Sequence, residues 1–139
     1  MVHALRETHR VLRLGGIVVD LRPAAKHRRV GLGKGRRWRR VGVMRESFSK
    51  DRAADRAVAG VLRAGLFRRG ARAEFLVDRE MDTIEDFLGW LKDFGGRRPM
   101  TSHAWLIARL RRKLATKDTT IVVRGLLKLQ LLQQAGPAR

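Results

Sequence analysis

Apolar and polar positions change their period several times along the chain, and each change marks an element. Residues 2–12 place Leu5 and Leu12 on one helical face, with Val11 beside them and charges opposite. Gly15-Gly16 closes that helix, because glycine enters the left-handed conformation without a steric penalty. Ile17, Val18, Val19 and Leu21 follow almost without interruption, with Asp20 near the exit. A short strand at residues 17–21 that is apolar on both faces is expected inside a sheet covered from both sides. Arg22-Pro23 ends it, since proline donates nothing to a ladder.

Residues 28–44 predict a hairpin. Val30 and Leu32 lead into Gly33-Lys34-Gly35, and Trp38, Val41 and Val43 lead out. Ser49 is the expected N-cap of a helix over residues 50–64, with Asp51 in its first turn, an apolar stripe of Ala54, Val58, Val61 and Leu62, and Gly65 as its stop. Residues 72–80 alternate, with Ala73, Phe75 and Val77 on one side and Arg72, Glu74, Asp78 and Glu80 on the other. Thr83 opens a helix to Phe94, with Asp86 at capping-box spacing and Ile84, Phe87, Leu88, Leu91 and Phe94 on one face. Gly95-Gly96 ends it. Thr101 or Ser102 starts another helix through about residue 115, burying Leu106 or Ile107, Leu110 and Leu114. Residues 119–132 read as a long final strand, and residues 134–139 as a disordered tail. The order is helix, strand, hairpin, helix, strand, two helices, strand, which predicts a single α/β domain over residues 1–139.

Composition narrows the chemistry. The 139 residues suit one domain with a real core, and 44% hydrophobic residues argue against disorder. The absence of cysteine excludes disulfides and thiolate metal sites. His3, His9, His27 and His103 are scattered, so no metal site is expected. No apolar run is long enough to span a bilayer, and Arg6 and Glu7 fall where a signal peptide needs apolar residues. A cytoplasmic protein without membrane contact is the expectation. The net charge of +19 predicts attraction to polyanions by counterion release. Arginine is spread through every segment, however, as a coding sequence rich in arginine codons would also leave it.

The opening segment resembles the middle of the class I S-adenosylmethionine-dependent methyltransferases. That family carries a helix ending in a leucine, a basic residue, proline and two glycines before its fifth strand. The matching residues are Leu12-Arg13-Leu14-Gly15-Gly16, then Ile17-Val18-Val19-Asp20, with Leu5-Arg6-Glu7 and Arg10-Val11-Leu12 also family-like. Leu14 departs from the usual proline. The resemblance implies a partial Rossmann-like sheet of the fifth to seventh strands, with flanking helices and an inserted hairpin. The helix at residues 50–64 would be the crossover after the fifth strand, and residues 72–80 and 119–132 the last two strands, forming an antiparallel pair at the sheet edge. In the family, S-adenosylmethionine is held by the N-terminal half, through a first strand, a glycine-rich loop and an acidic residue on the second strand. On this alignment that half would precede Met1. The chain alone is therefore expected to bind no cofactor, to have no catalytic residues of its own, and to be inactive as a truncated or split enzyme.

Candidate contacts follow from placement. Asp20 and Arg22 lie at the carboxyl end of the strand, where open α/β sheets collect ligands, and are the substrate-facing candidates. The alternative for them is a turn cap and a surface ion pair. Arg36, Arg37, Trp38, Arg39 and Arg40 form the densest basic patch, with one stacking ring inside it, and could contact a polyanion. The alternative function is thus a small basic nucleic-acid-binding protein using this hairpin. Gly31-Leu32-Gly33-Lys34-Gly35 imitates a phosphate-cradling loop but lacks the helix that must follow, and reads as a hairpin turn. Glu74, Asp78, Glu80, Asp82, Glu85 and Asp86 make the one acidic cluster, read as a solvated face. Without a strand beside it, the ribbon from Ile17 to Leu21 would expose a pairing edge, which predicts a homodimer or a partner chain there.

Overall fold

A computed structural model describes residues 1–34, 37–94, 103–114 and 119–136. The elements are α1 (Val2–Val11), β1 (Ile17–Pro23), β2 (Arg29–Lys34), β3 (Arg37–Val43), α2 (Ser49–Arg63), β4 (Phe67–Met81), α3 (Ile84–Phe94), α4 (Ala104–Lys113) and β5 (Thr120–Gln134). The protein is mixed α/β, and its strands pair antiparallel around β5, which bonds β1, β2 and β4. Its contacts fall into two compact units, and the long strands β4 and β5 contribute residues to both.

The first unit comprises Met1–Lys26, Ser47–Phe75 and the chain from Leu126. Gly15 has φ +73°, and the amide of Gly16 donates to the Arg13 carbonyl, so the glycine stop forms where the pattern places it. β1 pairs with β5 from Ile17↔Gln133 to Pro23↔Leu127. The amide of Ala135 bonds the Leu66 carbonyl, and Gly70 lies against Leu131, so β4 runs antiparallel along the same strand. α1 packs on α2, and Leu5, Ala57, Val58, Val61, Phe67 and Leu132 form the core, joined by Leu12 and Val18.

Five expectations change in this unit. β1 does not end before Arg22-Pro23 but includes both, with Pro23 opposite Leu127 on an edge strand, where a missing donor is tolerated. β1 is not buried on both faces: Val18 meets the core, but Ile17, Val19 and Leu21 are 56%, 59% and 51% exposed. A strand alternates its side chains, and helices cover only the side that Val18 faces. Val11 is exposed as well, because the helix turns it away from α2. Ser49 is the first helical residue, with Phe48 at the N-cap position and the Ser47 hydroxyl accepting the Ser49 amide. Gln134 is not part of a loose tail, since its amide donates to the Gly16 carbonyl and extends β5. Residues 137–139 lie outside the described residues.

The second unit comprises His27–Glu46 and Leu76–Gly125. Here β2 and β3 form the expected hairpin, and β2 also pairs with β5 from Arg29↔Arg124 to Gly33↔Thr120. α3 and α4 pack together, and α4 lies on β3. Val30, Leu32, Val41, Met44, Met81, Phe87, Leu91, Leu106, Leu110, Ile121 and Val123 make one core, with Phe87, Leu110 and Ile121 wholly enclosed. Thr83 and Asp86 cap α3 reciprocally. The Asp86 amide donates to the Thr83 hydroxyl at 3.0 Å, and the Thr83 amide donates to the Asp86 carboxylate at 3.2 Å. The expected stops and starts at Gly35, Gly95-Gly96 and Thr101 or Ser102 lie outside the described residues.

Candidate functional site

Strand alternation sets Asp20 and Arg22 on one side of β1, and the register places Gln130 and Lys128 directly opposite them on β5. This is the side that α2 covers. Between α2 and the three strands lies a cleft of about 560 Å³. Asp20, Arg22, Asp55, Arg69, Arg72, Glu74, Lys128 and Gln130 supply its polar lining, with Val58, Ala59 and Ala73 among the apolar residues.

The two residues singled out from the sequence are both here, and they hold each other. Arg22 grips Asp20 in a fork, Nε to Oδ1 and Nη2 to Oδ2, both at 2.7 Å. Its remaining nitrogen, Nη1, donates to Asp55 Oδ1 at 3.0 Å. Lys128 donates to the same Asp55 oxygen. The four charges cancel in a closed network, Asp20–Arg22–Asp55–Lys128. Burial pulls the Arg22 pKa down, but the bonds and charges of Asp20 and Asp55 outweigh it and hold the guanidinium above its ordinary value. Burial likewise pushes the Asp55 carboxyl up, and Lys128 and Arg22 together bring it below the usual aspartate range. Both shifts favour the charged forms of Arg22 and Asp55, so the pair forms a charged wall of the cleft.

Asp55, Lys128, Gln130, Arg69 and Arg72 escaped sequence reasoning. For Lys128 and Gln130 there was a signal, because they are the polar pair at spacing two in an otherwise leucine-rich strand. Asp55 carries no such mark, and only the fold of α2 onto the sheet brings it to Arg22.

The basic hairpin lies in the other unit. Arg37, Arg39 and Arg40 are exposed along β3, and Arg36 lies outside the described residues. Trp38 is half-buried. Its ring fills the space a Cβ on Gly31 would need, and the Arg124 guanidinium stands 4.6 Å from the ring centroid. Arg124 in turn makes two bonds to Asp78, at 2.7 and 2.6 Å. That pairing, chiefly through the hydrogen bonds, holds the Asp78 carboxyl below its ordinary pKa. The glycine-rich stretch is therefore strand packed under tryptophan, without a following helix to cradle a phosphate.

The acidic cluster is distributed among separate tasks. Asp78 binds Arg124, Glu74 lies 3.9 Å from Lys26, and Asp86 caps α3. Among the described residues, no group of three or more histidines and carboxylates is placed to hold a metal ion, and no helix is long and apolar enough to cross a membrane. Compared with protein families, curated proteins and solved structures, the chain matches none.

Proposed function

We propose that this chain carries the substrate side of a sheet of the class I S-adenosylmethionine-dependent methyltransferase type. The observation that carries the reading is β5 lying antiparallel between β1 and β4, with α2 leading into β4. The packing of α1 against α2, on either side of the Gly15-Gly16 turn and β1 in the chain, supports the same reading. So does the ligand-type placement of the cleft along Asp20 and Arg22. Leu14 in place of proline and the hairpin between β1 and α2 are departures from the family pattern.

The described residues do not fit the family's cofactor. Gly31 and Gly33 are built into β2, packed against the Trp38 ring and the backbone of Arg37 and Trp38 respectively, and β3 rather than a helix follows them. An isothermal titration of the 139-residue chain with S-adenosylmethionine tests the reading: no saturable heat is expected, and micromolar binding overturns it. The free edge of β1, with Ile17, Val19 and Leu21 exposed beside it, supports pairing with a second copy or with a partner chain.

One observation favours a second reading, nucleic-acid binding: Arg37, Arg39 and Arg40 are exposed side by side on one strand. The engagement of Trp38 by Arg124 weighs against base stacking there. Salt-sensitive binding lost in the triple alanine variant of these arginines supports this reading. Equal loss on removing three arginines elsewhere marks a generic polycation.

A further inference from the structure

The cleft of the first unit has more donors than its own carboxylates use. Arg22 and Lys128 are neutralised by Asp20 and Asp55. Glu74, the third carboxylate of the cleft, lies 3.9 Å from Lys26, and Arg69 and Arg72, on β4, make no ion pair among the described residues. Nε2 of Gln130, on β5, is shielded from solvent and has no acceptor. A shielded amide donor without an acceptor is costly, and it calls for a ligand atom or a water to satisfy it. Two arginines from one strand and an amide from the next thus line one cleft without an ion pair or an acceptor among the described residues.

We infer that this cleft is a binding site for a small phosphate-bearing ligand, with Arg69, Arg72 and Gln130 as its donors. Guanidinium groups suit phosphate because their planar fork makes paired, charge-assisted bonds to its oxygens. A tetrahedral phosphate has enough free oxygens to accept from both arginines and the amide together, whereas a carboxylate has two. The volume of about 560 Å³ lies in the range of small-molecule sites. Val58, Ala59 and Ala73 give the cleft an apolar wall for the rest of such a ligand. The network of Asp20, Arg22, Asp55 and Lys128 keeps two of the cleft's three carboxylates paired, so they repel the anion less. The phosphate site stands on these donors alone. Only its meaning as an acceptor-substrate site rests on the methyltransferase-type reading.

The test is calorimetric titration of the full chain with inorganic phosphate and with phenyl phosphate at constant ionic strength. One saturable site is expected, with phenyl phosphate the tighter ligand. The Arg69→Ala/Arg72→Ala variant should weaken binding by about tenfold or more, as loss of charge-assisted bonds does. Gln130→Leu should weaken it severalfold. Arg6→Ala/Arg13→Ala removes the same charge from exposed positions of the α1 region and should leave binding within about twofold. Equal losses in the two double variants, or no saturation by either phosphate, overturn the site. Oligonucleotide binding that neither phosphate competes, in the absence of a saturable small-ligand heat, overturns it as well. Circular dichroism checks folding, and Arg69→Met/Arg72→Met replaces the alanine pair if that variant unfolds. Failure here with the S-adenosylmethionine titration still blank removes the phosphate site and leaves the sheet reading intact. Micromolar S-adenosylmethionine binding does the reverse.

Discussion

Asp55 shows how much one side chain can decide. It accepts from both Arg22 and Lys128, so its loss leaves two cations facing each other in the cleft. Its carboxyl is held below the ordinary aspartate pKa in the folded protein. A depressed carboxyl contributes stability that is complete above the unfolded-state value and is lost as pH falls through the folded one. Asp55→Asn is therefore expected to cost about 0.5–1 kcal/mol near neutral pH, a modest figure because the side chain is partly solvated. The deficit should vanish in acid. Urea unfolding at neutral and acid pH checks this, and a deficit unchanged by pH removes the ion-pair explanation. Asp20 and Arg22 were legible as candidates because they lie at the carboxyl end of an apolar strand, the edge where open α/β sheets collect ligands. Their partners were not, since Asp55 and Lys128 lie 33 and 106 residues from Arg22 and meet it only through packing.

Among the elements, local signals account for the helices better than for the strands. The spacing of Thr83 and Asp86 announces the start of α3, and both reciprocal bonds are present. Thr83→Ala should lower stability by about 1 kcal/mol, as loss of an N-cap hydroxyl does. A lowered thermal midpoint with faster amide exchange in the first turn of α3 is the expected result. The strands depend on neighbours. β4 begins at Phe67, five residues before its alternating pattern, because β5 offers ladder partners to Arg68, Arg69 and Gly70 whatever their own propensity. Its inner residues are exposed, so the Ala73, Phe75 and Val77 row does not find the covered face that alternation suggested. β5 likewise extends to Gln134, where the Gly16 carbonyl receives its amide.

For the whole molecule, the telling feature is apolar surface on β1. Ile17, Val19 and Leu21 point away from the helices, and the edge of β1 not bonded to β5 has no strand beside it among the described residues. An open edge next to an apolar row invites pairing with another chain. Concentration-dependent association is expected by sedimentation. Val19→Lys should shift it toward the monomer while changing stability by less than about 0.5 kcal/mol, since the position is exposed. Association unaffected by this substitution places the contact elsewhere.

Sequence by itself determined the identity and order of the elements, the glycine stops at Gly15 and Gly65, the hairpin and the capping of α3. These are local matters of dihedral preference, period and neighbouring side chains. Tertiary structure alone decided which face of β1 is covered, that β5 is the strand to which β1, β2 and β4 all bond, and that Asp20, Arg22, Asp55, Lys128 and Gln130 share one cleft. An apolar run is the same text whether one face is buried or two. Ladder partners and charge partners far apart in the chain are chosen by the whole fold, through packing that no window of sequence contains.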